Sequence, residues 1–345
     1  MTQRLDAGRD AELAWISPRL ATWAAEHRGP RATVSDVWPL PGNSGRSYRF
    51  TLTAPGLRER LVIRLPPAGV ALSRNADVIR QARILETMGE AGIPVPEVRA
   101  SSADGRLFDV PFYVATLVPG SSTHLFDPEL SGAQDGRGLE GVFRAGMGSL
   151  AAIHAVDWRS VGWDWAEPQD LAQEIRAWTP TLLKSDNAEW VALAREVGDL
   201  LMASRPADPE PTVVHGDFYS NNWLFEDGEI TAILDWEIAG IGPPGLDLGW
   251  ICMIYDERSW GPRRHRWDAW TPTPELLMEA YTAAGGRPID DLGWYRALAG
   301  YRLACITARN YFLHTSGKRP DPAWEVIADS FTRLVGRARE LVLSS

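Results

Sequence analysis

The sequence predicts an α+β protein with two lobes, a small antiparallel sheet with one helix followed by a larger, mainly helical part. Between residues 30 and 118, segments rich in β-branched and aromatic residues alternate with turn-forming residues, a pattern typical of strands. From about residue 126 onward, most segments have the periodicity of helices. We therefore expect an N-terminal lobe of residues 1–115 and a C-terminal lobe of residues 116–345.

The N-terminal lobe is predicted to be a small meander. Three strands are expected at "ATVSDVWPL", "SYRFTLTA" and "RLVIRLPP", with the turns "PGNSG" and "PGLRE" between them. Residues 73–92 carry apolar side chains at helical spacing, and the prolines that follow end this helix. The segment "LFDVPFYVATLVPG" is expected to form a further strand that ends at a Pro-Gly break.

The C-terminal lobe is predicted to be helical with one interruption. Residues 211–236 read as a strand pair, because Asp227 and Gly228 stand between apolar residues that alternate, which is a strong hairpin signal. Helices are expected at residues 138–156, 168–204, 273–284, 290–314 and 322–342.

The bulk composition excludes some classes of function. The formal net charge of −10 argues against nucleic-acid binding, which needs clustered basic residues. It is compatible with a cationic substrate, but it is also ordinary for a soluble protein. Two cysteines in apolar segments indicate a reducing compartment. No signal-peptide pattern or membrane-length apolar run is visible, so we expect a cytoplasmic protein without a membrane partner. Its oligomeric state, monomer or weak dimer, is left open.

Polar residues interrupt the predicted strand pair in the stretch "VVHGDFYSNNWLF". Counting outward from the turn places Asn222 opposite Ile233, and Asp235 has the same parity, so the two polar side chains are expected on one face of the hairpin. Asp217 lies on the loop that enters the hairpin. Three oxygen-bearing groups would then converge, and their hard oxygen atoms suit Mg²⁺.

The same stretch carries a known motif. "HGDFYSNN" matches H-x-D-x-x-x-x-N, the form of the kinase catalytic loop, and the aspartate of "LDW" follows where kinases have a metal-binding Asp. The fuller string "HGDFYSNNWLF...AILDWEIAGIGPPGLDLGW" resembles the aminoglycoside phosphotransferase and choline kinase family. It looks closest to the phosphotransferases related to the kinase-like domain of acyl-CoA dehydrogenase fusions. The resemblance covers about residues 32–315.

The resemblance implies a protein-kinase-like fold and transfer of the γ-phosphoryl group of ATP or GTP to a hydroxyl of a small molecule. Asp217 matches the catalytic Asp that accepts or orients the proton of that hydroxyl. Asn222 and Asp235 match the Mg²⁺ ligands. Glu237 matches an acidic position that also reaches metal in some relatives.

Two further residues of the motif are expected to support the loop. Asp247, in "DLGW", matches an Asp that braces the catalytic loop, and His215 is expected to orient the loop by hydrogen bonding rather than to take part in the chemistry. A hydrolase that uses His215 and Asp217 as metal ligands is a weaker alternative, because no second His/Asp cluster at ligand spacing supports it.

The N-terminal lobe supplies the expected nucleotide-binding residues. The "PGNSG" segment lies between the first two strands, where backbone N–H groups can cradle phosphates, although such a segment is also an ordinary turn. The backbone of Ala115 and Leu117, within "VATLV", is expected to meet the adenine. The residues of the phosphate cradle are Gly42, Asn43, Ser44 and Gly45.

Two positions depart from the common kinase pattern. Arg64 stands where kinases place the strand lysine that pairs with nucleotide phosphates, and Gln81 stands where the helix glutamate partner would be. Arginine can still bind phosphate, and Gln81 can hold Arg64 by a hydrogen bond. The departure keeps a second class of function open, a kinase-like protein that binds nucleotide or metabolite with weak or no catalysis.

The phosphate acceptor is not specified by the sequence. Of 16 tryptophans, 13 lie at or beyond Trp158, which indicates either an aromatic substrate pocket or core packing. The segment "YDERSWGPRRHRWDAW", residues 255–270, is a candidate for part of the acceptor site. Relatives in the family phosphorylate aminoglycosides, choline-like amines, macrolides, sugars and hydroxyacyl thioesters.

Overall fold

A computed structural model of the chain describes residues 2–40, 45–67, 69, 74–122, 136–163, 167–262 and 270–344. The chain divides into two compact units, residues 1–119 with 231–238 and residues 120–230 with 239–345. Each unit has its own core of buried apolar side chains. The lobe boundary expected after residue 115 stays a prediction.

The first unit is built on a five-stranded antiparallel sheet in the order β1-β2-β3-β5-β4. Its three predicted strands and its predicted helix are confirmed. The strand β4 was not predicted, because its residues are half-buried with little alternation. The elements are α1 (Thr2–Arg28), β1 (Thr33–Leu40), β2 (Arg46–Ala54), β3 (Leu57–Leu65), α2 (Val78–Glu90), β4 (Val98–Ser102) and β5 (Phe112–Thr116).

The two faces of this sheet have different roles. Side chains alternate along β3, so Leu61, Ile63 and Leu65 are buried in a core that also contains residues of α1. Arg64 leaves the opposite face, where its register partners are Ser47 in β2 and Tyr113 in β5. The alternation therefore places the Arg64 side chain on the face of the sheet opposite to the one that packs against α1.

The second unit is mainly helical. Between residues 212 and 242 the chain forms four short strands, of which Thr212–Val214 pairs with Gly240–Gly242 and Trp223–Glu226 pairs with Glu229–Ile233. The last three residues of Glu229–Ile233 already belong to the first unit. The elements are α3 (Gly136–Ala155), α4 (Leu171–Leu182), α5 (Ala188–Ala203), β6 (Thr212–Val214), β7 (Trp223–Glu226), β8 (Glu229–Ile233), β9 (Gly240–Gly242), α6 (Gly245–Ile254), α7 (Pro274–Ala283), α8 (Leu292–Thr315), α9 (Ala323–Ala328) and α10 (Phe331–Ser344).

Two predicted helices are each divided in the structure. The segment 168–204 forms α4 and α5, because the Asn187 side chain accepts a hydrogen bond from the Trp190 N–H and starts a new helix. The segment 322–342 likewise contains α9 and α10. Within the described ranges, no helix has the length and apolar character needed to cross a bilayer.

Helix α6 lies unusually close to α8. A Cβ atom added to Gly249 would stand 2.5 Å from the backbone carbonyl of Tyr295, and one added to Gly245 would stand 2.4 Å from the Tyr295 ring. Only glycine fits such an approach without displacing α8. Because both glycines lie on α6, this contact fixes the helix that carries Asp247 and Trp250.

The predicted hairpin is present but shorter than expected. Asp227 and Gly228 have φ values of 52° and 86°, which the two central residues of a type I′ turn require. Asn222 ends a 3₁₀ turn before β7, and Asp235 follows β8 with a left-handed φ of 61°. Both residues lie outside the strands, so strand parity does not apply to them, and the convergence of their side chains stays a prediction.

Candidate active site

A buried carboxylate anchors the loop that precedes Asp217. Asp247 is fully buried on α6, and its two oxygens accept hydrogen bonds from the backbone N–H groups of His215 and Gly216, each at 2.7 Å. The His154 Nε2 atom lies 3.2 Å from the same carboxylate, and its Nδ1 atom lies 2.8 Å from the Tyr281 hydroxyl. These bonds confirm that Asp247 braces the loop.

Asp247 remains ionised in spite of its burial. Burial alone would raise the pKa of this carboxyl group, because it removes water from the charged form. Other interactions outweigh that effect and lower the pKa of Asp247. They are the hydrogen bond from His154, the electrostatic influence of His154 and His215, and the hydrogen bond from the His215 N–H. The charged form accepts two short backbone bonds, so it fixes the loop more strongly than a neutral acceptor would.

The local backbone then turns to present Asp217. Gly216 has a left-handed φ of 84°, a conformation that glycine adopts without strain. The buried His215 ring accepts a hydrogen bond at its Nδ1 atom from the Asp217 N–H, at 3.2 Å. His215 therefore orients the loop, and the metal-binding alternative would have to displace this bond.

Both oxygens of Asp217 have a hydrogen-bond donor. The indole N–H of Trp250 donates to Oδ1 at 2.8 Å, and the Asn222 amide nitrogen donates to Oδ2 at 3.1 Å. The same amide nitrogen donates to the Asp217 carbonyl at 2.9 Å. Because the nitrogen of the Asn222 carboxamide is used in this way, its oxygen is directed elsewhere and is available to a cation.

The far end of the loop is also attached to α6. Ser220 is buried, its hydroxyl lies 2.7 Å from the Tyr255 hydroxyl, and its N–H donates to the same oxygen at 3.3 Å. Tyr255 is the residue that ends α6. Asp247, Trp250 and Tyr255 therefore support the loop from one helix, and Asp247 and Trp250 share a face at i, i+3 spacing.

In the first unit, Arg64 is the centre of a second polar cluster. One guanidinium nitrogen lies 3.2 Å from the Glu237 carboxylate and 4.0 Å from that of Asp235, and another donates to the Ser47 hydroxyl at 3.1 Å. Arg80 donates to the Glu237 carbonyl at 3.0 Å. Glu237, predicted as a metal-binding position, is thus an ion-pair partner of Arg64 in this structure.

Gln81 makes a different contact from the one expected. Its side chain is buried, and its amide nitrogen donates to the Asn75 carbonyl at 2.7 Å. The charged residue beside Arg64 is Glu237, which stands later in the chain than the helix position where kinases have their glutamate. A role for Gln81 as the partner of Arg64 stays a prediction.

The expected nucleotide-binding backbone is described in part. Gly42, Asn43 and Ser44 lie outside the described residues. A Cβ atom at Gly45 would stand 2.8 Å from the Leu65 carbonyl and 3.0 Å from the Arg64 guanidinium, so the end of the "PGNSG" segment touches Arg64.

The expected adenine-binding segment is already part of the sheet. Ala115 is buried in β5, and the Leu117 N–H donates to the Arg60 carbonyl at 2.9 Å. That bond occupies the Leu117 N–H, and the contact of Ala115 and Leu117 with adenine stays a prediction.

The predicted Mg²⁺ ligands, Asn222 and Asp235, each carry oxygen atoms of the kind that a hard divalent cation prefers. The side-chain nitrogen of Asn222 donates the hydrogen bonds to Asp217, and its side-chain oxygen takes no part in them. The side chain of Asp235 is 38% exposed. Asn222 belongs to the second unit and Asp235 to the first, so a shared ion stays a prediction. Among the described residues, no three His, Cys, Asp or Glu side chains form a metal-binding group.

Sequence reasoning missed the contacts of α6. Trp250 was part of the "DLGW" string but had no assigned role, Tyr255 was named only within the candidate acceptor segment, and His154 was not considered. Much of the tryptophan content does serve core packing, as the fully buried Trp163, Trp223, Trp260 and Trp294 show. Residues 263–269 of the proposed acceptor segment lie outside the described residues.

The H-x-D-x-x-x-x-N loop held by Asp247 and the antiparallel sheet that carries Arg64 are the two features that the resemblance to kinase-type phosphotransferases leads us to expect. The family described as "Phosphotransferase enzyme family" matches residues 38–297. The chain belongs to this family.

Comparison with known proteins agrees with this assignment. Acyl-CoA dehydrogenase family member 10 of Mus musculus is 30% identical over 288 residues, which cover 80% of this chain but 26% of that protein. The chain therefore spans about a quarter of the length of this relative.

Solved structures show the same fold. A structure assigned as an aminoglycoside phosphotransferase, from Ralstonia eutropha JMP134, superposes with a TM-score of 0.77 at 22% identity, covering 95% of this chain and 98% of that one. Aminoglycoside phosphotransferase APH(4)-Ia, solved with AMP-PNP and hygromycin B, gives 0.59 at 17% identity, covering 94% and 98%. The protein-kinase-like fold expected from the sequence is confirmed.

We predict that Arg64→Ala raises the KM for ATP by about 10- to 150-fold, because it removes a charge-assisted bond to phosphate. Arg64→Lys should recover part of the loss, since lysine offers a point charge instead of a fork. The matched control is Arg58→Ala, which removes an exposed arginine from the same strand. Steady-state kinetics checks this, and an unchanged KM in Arg64→Ala would show that the first unit binds nucleotide in another way.

Proposed function

We propose that this phosphotransferase moves the γ-phosphoryl group of ATP, or of GTP, to a hydroxyl group of a small molecule, with Asp217 as the catalytic base. The observation that carries the proposal is the held carboxylate of Asp217, with one oxygen bonded to Trp250 and the other to Asn222. These two hydrogen bonds fix the orientation of the carboxylate. A general base must be held within hydrogen-bonding distance of the proton that it accepts, so a fixed orientation suits this role.

In the proposed reaction, the acceptor oxygen forms a bond to the γ-phosphorus while the bond from that phosphorus to the β,γ-bridging oxygen breaks. Asp217 accepts the hydroxyl proton, and ADP carries away the bonding electron pair. Phosphoryl transfer involves little covalent chemistry by the protein, so the residues act by positioning and by electrostatic stabilisation. Arg64 would hold the α- and β-phosphates on the first unit.

Asn222 and Asp235 would hold Mg²⁺, which supplies charge neutralisation of the phosphate oxygens when bound. Glu237 is the third candidate ligand of the predicted set. Its ion pair with Arg64 favours a different role, because a carboxylate that already faces a guanidinium can position that arginine for the phosphates. Glu237→Gln separates the two roles, since loss of a ligand changes Mg²⁺ dependence, whereas loss of an arginine partner changes the KM for ATP.

The alternative is a kinase-like protein that binds nucleotide or metabolite without efficient turnover. One observation favours the protein without efficient turnover. Arg64 lies near the carboxylates of Glu237 and Asp235, whereas the corresponding lysine of kinases pairs with one glutamate on a helix. Asp217, Asn222 and the Asp247 brace favour the active enzyme. Turnover with any acceptor decides between the two.

The acceptor is best found by a screen. APH(4)-Ia was solved with the aminoglycoside hygromycin B, and the relative from Mus musculus is named as an acyl-CoA dehydrogenase family member. Purified protein should be tested for ADP release with aminoglycosides, choline-like amines, macrolides, sugars and hydroxyacyl thioesters. ADP release that depends on one acceptor class identifies the substrate class.

Asp217→Asn is expected to lower kcat by about 10²- to 10⁴-fold, the usual effect of losing general-base assistance. Binding of ATP should stay nearly intact, because Asp217 belongs to the loop rather than to the phosphate-binding cluster. Kinetics and calorimetry on the same preparation test both parts. Near-normal turnover in this variant would reject Asp217 as the catalytic base.

Asp235→Ala is expected to abolish the Mg²⁺ dependence of ATP binding. Asp235 would supply one of the oxygens that hold the cation, so its loss should remove the gain in ATP affinity that Mg²⁺ provides. Calorimetric titrations with Mg²⁺ and with EDTA measure the difference. The matched control is Asp227→Asn in the exposed hairpin turn, which removes a carboxylate but keeps a residue that tolerates the left-handed φ. Equal ATP affinity of the unaltered protein under both conditions would contradict the proposed metal site.

A further inference from the structure

A buried arginine lies behind the tryptophan that contacts Asp217. Arg302, on α8, is 9% exposed. Its guanidinium carbon stands 4.3 Å from the ring centroid of Trp250 on α6 and 5.1 Å from that of Trp178 on α4. The cation therefore lies over the faces of two indole rings that belong to two other helices.

Arg302 has no acidic partner in the part of the chain that the structure describes. Its Nε atom is buried and makes no hydrogen bond. A buried charge usually has a carboxylate partner, because transfer out of water is costly and the opposite charge compensates for it. The described arginines of the same unit that are comparably buried, Arg296 and Arg337, both pair with Asp256. Arg302 instead has aromatic faces as its neighbours.

One of those rings connects Arg302 to the catalytic loop. The edge of Trp250 donates its N–H to the Asp217 carboxylate at 2.8 Å, while the face of the same ring lies against the guanidinium. A cation over an indole face is attracted by the ring electrons and draws them toward itself. The N–H at the ring edge then becomes a stronger donor, and the stack also fixes the plane of the ring.

We propose that Trp250 is a positioning residue for Asp217 and that Arg302 acts on Asp217 through Trp250. The indole N–H of Trp250 holds one oxygen of the Asp217 carboxylate, and the Arg302 guanidinium on the face of the ring strengthens this hydrogen bond. No charged side chain then has to stand beside the phosphate acceptor. The consequence for catalysis rests on the proposed function. The hydrogen bond and its dependence on Arg302 do not rest on it.

The first measurement needs neither an acceptor nor turnover. The full chain, labelled with ¹⁵N-tryptophan, gives indole N–H signals in a two-dimensional NMR spectrum, and Trp250→Phe identifies the signal of Trp250 by its loss. Asp217→Ala should move that signal upfield, because the carboxylate acceptor is removed. Arg302→Met should move it in the same direction by a smaller amount, and Arg302→Lys should move it less than Arg302→Met.

Two matched variants control for general disturbance of the fold. Trp294→Phe removes another buried indole N–H, one that donates to the Leu201 carbonyl at 3.3 Å. Arg309→Met removes a cation–π contact with Phe312 from α8, two helical turns beyond Arg302. Neither should move the Trp250 signal. A Trp250 signal that does not respond to Asp217→Ala or to Arg302→Met would overturn the proposal.

The second measurement follows ADP release from Mg·ATP with water as the acceptor. Trp250→Phe keeps the ring but loses the N–H, and it should lower kcat by about 10- to 100-fold, as expected for a lost bond to a charged group. The KM for ATP should stay within about twofold, since ATP is held by other residues; a general loss of structure would move both constants. Arg302→Met should lower kcat less, and Arg302→Lys should restore part of it.

The double variant separates an action through Trp250 from an independent one. If Arg302 acts through the indole N–H, Trp250→Phe with Arg302→Met should be no slower than Trp250→Phe alone. Additive losses in kcat, or equal changes of kcat and KM, would overturn the proposal. If the unaltered protein shows no Asp217-dependent ADP release with water or with any acceptor of the screen, the proposed function fails, and the NMR response alone decides whether the positioning contact exists.

Discussion

The carboxylate of Asp247 is the interaction on which the active site depends. It is buried and charged, and such a group is stable only when hydrogen bonds replace the water that it has lost. Two consecutive loop amides, of His215 and Gly216, supply those bonds together with His154. The need to satisfy the carboxylate therefore fixes the loop backbone immediately before Asp217.

The helix that carries this carboxylate is itself fixed by close packing. Gly245 and Gly249 allow α6 to approach α8 so closely that a single methyl group would collide with Tyr295. Trp250 on the same helix donates to the Asp217 carboxylate, and Tyr255, which directly follows the helix, contacts Ser220. The loop thus obtains its geometry from one rigid helix, which is how a site on an irregular segment can be positioned accurately.

Sequence reasoning succeeded where local chemistry decides the structure. The Asp227-Gly228 turn, the alternating strands of the first unit and the H-x-D-x-x-x-x-N loop all have patterns that depend on neighbouring residues. It failed for α6, which is buried on all sides and so shows no amphipathic period. It also expected strand parity at Asp235, where a left-handed φ ends the alternation of the strand, and it missed the contact of Trp250, which depends on tertiary packing.

Hydrogen exchange of the His215 and Gly216 amides tests the central claim most directly. The unaltered protein should be compared with Asp247→Asn, in which a neutral amide replaces the anchoring charge. Breaking a buried charged contact of this kind costs about 3 kcal/mol, so exchange at these two amides should become about 100-fold faster, while ATP binding persists and turnover is lost. Unchanged protection of both amides in Asp247→Asn, with turnover intact, would contradict the account.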